Sequence, residues 1–292
     1  MTKNPLGQLF PSRQSHAAPL AWPNEHADRG FIICFTGRCG STELVDVLCQ
    51  SKLCGLPDEY FNEEFIPHHN LEWQSQDVSE YMRNLVVHRS LGRTFGFKID
   101  GFRHRRLSEI VDPNLHFPKS VFKFFYLTRR NLLEQSFSYA SAKASGVWHV
   151  RDVPDAVGNI DPGHFDITDR QLWEEFALIL EQEFYFERYF IETALNVQRL
   201  DYEMMCASKT SVIADVMLAL GCSVDQVGES LAGLKQNFRK LRYDGQKDRA
   251  MIEFRHRYAK HISYLTAHRG RLPFASVRNY LYSEIGIDLS KP

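Results

Sequence analysis

Residues 31–61 read F-I-I-C-F-T-G-R-C-G-S-T-E-L-V-D-V-L-C-Q-S-K-L-C-G-L-P-D-E-Y-F, and this segment predicts a strand, a glycine turn and a helix. The apolar run 31–35 has the length and β-rich composition of a strand buried in a parallel sheet. Gly37 and Gly40 in the T-G-R-C-G-S-T segment allow a tight turn that exposes backbone N–H groups. Apolar residues then recur at helical spacing, at Leu44, Val45, Val47 and Leu48. A strand, a glycine turn and a helix N-terminus together predict an anion-binding loop.

This loop departs from the nucleoside triphosphatase pattern G-x-x-x-x-G-K-[ST]. The lysine before the hydroxyl pair is absent, and Arg38 lies inside the turn instead. A metal-dependent phosphoryl transferase also needs an acidic residue after a second buried strand to hold Mg²⁺. Here the second clear strand, 121–127, is followed by Arg129 and Arg130, at the strand end where open α/β sheets bind ligands. We therefore expect protein cations, and no metal, to stabilise the transferred group, which fits sulfuryl transfer.

Length and composition are those of an ordinary globular protein. The chain has 292 residues, of which 43% are hydrophobic and 24% charged, enough for a full core. A formal net charge of −1 gives no general attraction to nucleic acid, so we predict no nucleic-acid partner. No apolar run has transmembrane length, which predicts no integral membrane association. The six cysteines lack C-x-x-C zinc spacing, and we predict that they are reduced thiols. No signal-peptide pattern is present, so we predict a cytoplasmic protein.

Strands alternate with helices along the chain. Further strands are predicted at 94–99 and 196–200, and helices at 78–91, 103–111, 132–144, 168–190, 209–220 and from 249 to 267. This alternation predicts an α/β fold, a three-layer P-loop-type domain with a mostly parallel sheet flanked by helices. We assign residues 1–28 to a flexible N-terminal arm, 29–292 to a single domain, and the last residues after 267 to a tail.

Four segments in order resemble the bacterial sulfotransferases of the trehalose 2-sulfotransferase type, which use 3′-phosphoadenosine 5′-phosphosulfate (PAPS). F-T-G-R-C-G-S-T at 35–42 is similar to that family's R-S-G-S-T 5′-phosphosulfate loop, with Cys39 in place of the usual serine. G-L-P-D-E-Y-F at 55–61 is similar to its G-x-P-x-E-[FY]-F segment. The family's G-E-P reads G-L-P here, with Leu56 in place of the glutamate, which leaves the sugar acceptor open.

The other two segments are strands with their following elements. T-F-G-F-K-I at 94–99 is similar to the family's G-x-K strand. Y-L-T-R-R-N-L-L-E-Q-S-F-S-Y-A-S-A, followed by G-V-W-H, resembles its 3′-phosphate strand, helix and tryptophan loop. D-Y-E at 201–203 is a weaker fifth match, so the resemblance covers about residues 31–203.

The resemblance implies PAPS as co-substrate and assigns residues to its two anionic ends. The cofactor-binding residues of the 5′-phosphosulfate loop are Thr36, Gly37, Arg38, Cys39, Gly40, Ser41 and Thr42, with Arg38 close to the transferred sulfuryl group. Arg129 and Ser138 match the 3′-phosphate ligands. Arg130 is the alternative to Arg129, because the arginine pair leaves the register open by one residue. Lys240 and Arg242 are candidates for a loop closing over the adenine.

The resemblance also implies a general base and an acceptor side. Glu59 matches the family's base, which takes the proton of the acceptor hydroxyl as that hydroxyl attacks sulfur in line. Lys98 adds positive charge near the reacting group, and Trp148 and His149 line the acceptor side. The implied acceptor is a carbohydrate or glycolipid hydroxyl. The aromatic run 184–190 is interpreted as core or as the interface of a homodimer.

Two other functions stay open at this stage. An ATP-dependent small-molecule kinase on a related P-loop fold would use the same glycine loop. A non-catalytic member of the fold would bind the donor without transferring it.

Overall fold

The computed structural model describes residues 4–10, 22, 25–148, 167–234 and 245–290, and the contacts divide the chain into two compact units. Unit 1 comprises Met1–Phe35, Cys39–Thr128 and Phe190–Lys235. Unit 2 comprises Thr36–Arg38, Arg129–Tyr189 and Gln236–Pro292. The single domain predicted over 29–292 stays a prediction.

Unit 1 contains a sheet of four parallel strands, which confirms the predicted α/β class. The strands are β1 (Arg29–Phe35), β2 (Thr94–Asp100), β3 (Phe122–Thr128) and β4 (Val197–Asp201), in the order β2-β1-β3-β4. Phe35 at the end of β1 pairs with Asp100 on one side and Leu127 on the other. Parallel pairing therefore brings the carboxyl ends of β1, β2 and β3 to one edge of the sheet, where such sheets bind ligands.

Helices make up much of the rest of the described chain in both units. They are α1 (Pro5–Gln8), α2 (Ser41–Ser51), α3 (Ile66–His69), α4 (Val78–Arg89), α5 (Gly101–Ser108), α6 (Pro113–His116), α7 (Leu132–Ser145), α8 (Asp169–Glu192), α9 (Tyr202–Ala207), α10 (Lys209–Ala219), α11 (Val224–Ala232), α12 (Gly245–Ala267) and α13 (Phe274–Ile285). Helices α3 and α6 are short, with four residues each.

Unit 2 is a helical unit around one apolar cluster. Trp173 and Phe176 of α8 are fully buried there together with Phe254 of α12 and residues of α7. Val277 and Leu281 of α13 are fully buried in the same cluster. The prediction of a tail after residue 267 was therefore wrong, because α13 covers the core of unit 2.

Part of the predicted N-terminal arm packs on unit 1. Leu6 in α1 is fully buried, and the Asn4 side chain caps this helix by accepting from the Leu6 N–H at 3.1 Å. The Phe10 ring lies 5.5 Å from the Tyr81 ring of α4. Residues 4–10 of the arm thus contribute to a core, and most of its other residues lie outside the described part.

Candidate functional site

The loop between β1 and α2 has the backbone of an anion-binding turn. Arg38 and Gly40 both have positive φ angles, 65° and 88°, and Gly40 is the N-cap of α2. A Cβ at Gly40 would lie 2.6 Å from the Tyr202 ring, so only glycine fits. Because glycine has no side chain to cap α2, the first N–H groups of this helix receive no bond from the cap residue. Their dipoles favour an anion at this helix end.

In unit 2, one face of α7 holds the first half of this loop. The Gln135 amide donates to Thr36 Oγ1 and to the Gly37 carbonyl, both at 2.8 Å. Arg38 Nε donates to Ser138 Oγ at 3.0 Å. A Cβ at Gly37 would lie 2.2 Å from the Tyr139 ring, which therefore packs directly against the loop backbone. Gln135, Ser138 and Tyr139 share a helix face because residues three and four apart are neighbours.

Arg38 also contacts the segment after α7. Its guanidinium donates to the Trp148 carbonyl, and the Trp148 ring packs edge-on against Tyr139 at 5.6 Å. Trp148 keeps 38% of its surface exposed.

The two arginines after β3 have different environments. Arg129 is half-buried and forms an ion pair with Glu134 in the first turn of α7, whereas Arg130 is exposed. The Arg269 guanidinium donates to the Arg129 carbonyl at 2.9 Å and to the Arg130 carbonyl at 3.0 Å. It also pairs with the buried Glu183 carboxylate of α8. The backbone that carries the arginine pair is therefore fixed from within unit 2.

In unit 1, a buried lysine joins the second half of the loop to a carboxylate. Lys98 Nζ of β2 lies 2.9 Å from Glu59 Oε1 and donates to Thr42 Oγ1 of α2, also at 2.9 Å. The Lys98 side chain is 2% exposed and that of Glu59 17%. Three of the predicted site residues, which are distant in sequence, therefore form one bonded group.

The Glu59 carboxylate is held ionised by this surrounding. Burial alone would raise the pKa of Glu59, but the charge and hydrogen bond of Lys98 and the charge of Arg103 bring it below the ordinary value. Asn62 Nδ2 donates to Glu59 Oε2 at 3.3 Å, and the Asn62 side-chain oxygen accepts from Arg103 at 2.9 Å. The Glu59 carboxylate is therefore ionised near neutral pH and fixed in orientation.

The structure brings together only part of the predicted site within each unit. Thr42, Glu59 and Lys98 are bonded in unit 1, and Arg38 contacts Ser138 and Trp148 in unit 2. The predictions for His149, Lys240 and Arg242 fall on residues outside the described part of the chain.

Several supporting residues were not predicted from the sequence. These are Asn62, Arg103, Gln135, Glu183 and Arg269. Gln135 carries the one usable signal, because it precedes Ser138 by three residues and so shares its helix face. The partners of the others depend on contacts that no local pattern encodes.

Other properties of the described residues bear on cofactors and environment. All six cysteines are free thiols, and Cys39 in the loop is fully buried. No group of three or more His, Cys, Asp or Glu residues in the described chain is arranged to hold a metal ion. Among the helices described, none combines the length and the apolar character needed to cross a membrane.

Comparisons with known proteins point to one fold. The model of the Stf0 sulphotransferase family matches residues 115–248, slightly less than half of the chain. No curated protein sequence matches the chain significantly. The mouse sulfotransferase SULT7A1 complexed with PAP is similar in structure, with a TM-score of 0.50 and 13% identity over 96% of this chain and 94% of that chain. This similarity shows that the chain has the sulfotransferase fold.

Two further solved structures are similar at lower scores. Retinol dehydratase in complex with androsterone and inactive cofactor PAP has a TM-score of 0.42 and 14% identity, covering 83% of this chain and 82% of that one. The sulfotransferase domain from the Synechococcus PCC 7002 olefin synthase has a TM-score of 0.35 and 10% identity, covering 81% and 97%.

Proposed function

We propose that this chain, which has the sulfotransferase fold, transfers a sulfuryl group from PAPS to the hydroxyl of an acceptor. The observation that carries the proposal is the bonding of Lys98 to both Thr42 and Glu59, each at 2.9 Å. One buried cation thereby connects the anion-binding loop to an ionised carboxylate. The Stf0 match over residues 115–248 supports the same activity, because it includes the arginine pair and α7.

The 5′-phosphosulfate of PAPS is assigned to the loop between β1 and α2. The donors and the positive charge come from the first backbone N–H groups of α2, the hydroxyls of Ser41 and Thr42, and the guanidinium of Arg38. Thr36, Gly37 and Cys39 shape the loop around these groups. Arg38 is the residue assigned to the sulfuryl group itself, because it carries the only formal charge between Thr36 and Thr42.

The 3′-phosphate is assigned to Arg129 and Ser138. Arg129 is favoured over Arg130 because its side chain is half-buried and oriented by Glu134, whereas Arg130 is exposed. A guanidinium held in one orientation loses less conformational freedom when it binds a phosphate. Ser138 supplies a hydroxyl that already accepts from Arg38.

In the proposed reaction Glu59 takes the proton from the acceptor hydroxyl. The acceptor oxygen forms a bond to sulfur while the bond from sulfur to the 5′-phosphate oxygen breaks. The electron pair of that bond leaves with adenosine 3′,5′-bisphosphate (PAP), and Arg38 and Lys98 stabilise the developing negative charge. A base in this role contributes about 10²–10⁴-fold to the rate. Protein cations supply the charge stabilisation, and the proposed step uses no metal.

The acceptor is proposed to be a hydroxyl of a carbohydrate or glycolipid. Trp148 supports this class, because it is exposed, its carbonyl accepts from Arg38, and aromatic faces pack well against the apolar faces of sugars. His149 is assigned to the same side by its position in the sequence alone.

A thermal-shift comparison tests the donor. PAP without Mg²⁺ is expected to raise the melting temperature of the protein, because bound ligand stabilises the folded state. Stabilisation by ATP only in the presence of Mg²⁺ would instead indicate a kinase. Stabilisation by PAP, with no transfer from PAPS to any glycan or lipid fraction, would indicate a non-catalytic binding protein.

A further inference from the structure

Arg269 lies in the turn after α12, and its guanidinium is bonded on two sides. Its two terminal nitrogens donate to the carbonyls of Arg130 and Arg129, at 3.0 and 2.9 Å. Its Nε donates to Glu183 Oε2 at 2.9 Å, and Nη2 contacts the other carboxylate oxygen. One side chain therefore ties α8 to the two residues that follow β3.

The charge of this pair is costly to bury. The Glu183 side chain is 3% exposed and that of Arg269 20%. Burial raises the pKa of Glu183, and the bonds from Arg269 offset only part of that rise. Replacing a buried ion pair by apolar residues is often neutral or stabilising, so stability alone does not account for this one.

The shape of the guanidinium fits a task that an apolar residue could not perform. Its planar fork presents several N–H donors at fixed angles, so it reaches two successive carbonyls while remaining paired with a carboxylate. A lysine ammonium in this place has no such fork. The bonded carbonyls belong to the arginine pair, so Arg269 fixes the backbone from which the Arg129 side chain extends.

We propose that Arg269 is a positioning residue for the 3′-phosphate of the donor, acting through Arg129. The inference rests on the proposed function, which assigns the 3′-phosphate to Arg129. Arg269 holds the backbone of residues 129–130, Glu134 holds the Arg129 guanidinium, and together they present that guanidinium in one orientation. Arg269 lies beyond the segment that the Stf0 model matches and beyond the stretch of motif resemblance.

The test compares two ligands that differ only in the 3′-phosphate, PAP and adenosine 5′-monophosphate. Calorimetry gives the dissociation constant of each for the wild type, Arg269→Gln and Arg269→Lys. The matched control is Arg257→Gln, since Arg257 in α12 also pairs with an acidic residue, Asp169, but contacts neither arginine of the pair. The ratio of the two dissociation constants does not depend on the fraction of folded protein, so partial unfolding of a variant does not affect it.

In Arg269→Gln the preference for PAP over adenosine 5′-monophosphate is expected to fall by roughly tenfold. The reason is that an Arg129 guanidinium displaced by a fraction of an ångström binds the 3′-phosphate less well. Affinity for adenosine 5′-monophosphate is expected to stay unchanged. Arg269→Lys is expected to restore less than half of the lost preference on a logarithmic scale. Arg257→Gln is expected to show the same preference for PAP as the wild type.

The outcomes separate the two levels of the proposal. A wild type that binds PAP no tighter than adenosine 5′-monophosphate would refute the proposed 3′-phosphate site itself. A wild type that prefers PAP, with the same preference in Arg269→Gln, would refute only the positioning role. Equal weakening of both ligands in Arg269→Gln would also refute it, since that result indicates a general structural effect.

Discussion

Lys98 Nζ lies 2.9 Å from Glu59 Oε1 and is bonded at the same time to Thr42 Oγ1 of the anion-binding loop. The lysine is on β2, the glutamate follows α2, and the threonine is in the first turn of α2. This contact keeps the carboxylate ionised despite its burial. The same cation therefore holds both the loop and the carboxylate proposed as the base.

The arginine pair after β3 gives a prediction about register. Arg129→Gln should weaken PAP binding by roughly 10–100-fold, because it removes hydrogen bonds between charged groups. Arg130→Gln is the matched control, since Arg130 is the exposed neighbour, and it should change the dissociation constant less than threefold. Calorimetric titration with PAP measures both. The reverse order of effects would move the 3′-phosphate to Arg130.

The lowered pKa of Glu59 predicts how its contribution to stability depends on pH. A carboxyl whose folded pKa lies below its unfolded pKa stabilises the fold above the unfolded value, near 4.5, and loses this contribution as the pH falls through the folded value. Glu59→Gln should therefore lower the melting temperature at pH 7, where it leaves the Lys98 charge unpaired. The difference from the wild type should shrink once the pH falls below about 4.5.

Thermal melting of both proteins across this pH range checks the prediction. The control is Glu64→Gln, because Glu64 is an exposed carboxyl in the same connection and should give a small difference at every pH. A Glu59→Gln difference that stays constant from pH 7 to the acid limit would show that Glu59 is not held ionised by Lys98.

Two glycines should respond to alanine with opposite signs. Gly37→Ala places a Cβ 2.2 Å from the Tyr139 ring and should lower the free energy of unfolding by about 1–3 kcal/mol. The Gly37 carbonyl also accepts a hydrogen bond from the Gln135 amide, so a shift of the loop backbone should lower the affinity for PAP as well. Gly228→Ala in α11 meets no described atom within 4 Å and should raise the free energy of unfolding by about 0.5–1 kcal/mol. Denaturant titration measures both, and a Gly37→Ala variant as stable as the wild type would contradict the assigned packing of the loop.

Strands β1 and β3 were predictable because most of their residues are buried, unlike those of β4. A buried parallel strand appears in the sequence as a continuous apolar run. The run 31–35 lies within β1 and starts two residues later, and the run 121–127 overlaps β3 with both ends shifted by one residue. Gly37 and Gly40 marked the turn for the same kind of local reason, since positive φ and close approach both require glycine.

Helix α13 was missed because its formation depends on tertiary packing. Its Val277 and Leu281 are fully buried in the cluster around Trp173 of α8, and Phe274, Tyr280 and Ile285 are partly buried against it. Phe274, Val277, Leu281 and Ile285 do recur at helical spacing, but a helix of twelve residues is only marginally stable without the surface that covers it. The tail was therefore predicted where the structure has a helix.

The site residues divide in the same way. Glu59, Lys98 and Arg129 were found through motifs, which record residue types at fixed spacing. Arg269 acts through hydrogen bonds to backbone carbonyls far along the chain, and such bonds leave no local pattern. Sequence thus predicted the proposed chemical groups, whereas the residues that hold them required the three-dimensional structure.

The most direct test of the account is the transfer of label from sulfur-labelled PAPS into a mixed glycan and lipid extract, with mass spectrometry of the product. The wild type should label a hydroxyl-bearing glycan or glycolipid without added Mg²⁺. Glu59→Gln should bind PAP as tightly as the wild type but transfer label about 10²–10⁴-fold more slowly, because the base is lost. Near-wild-type transfer by Glu59→Gln would contradict the central claim.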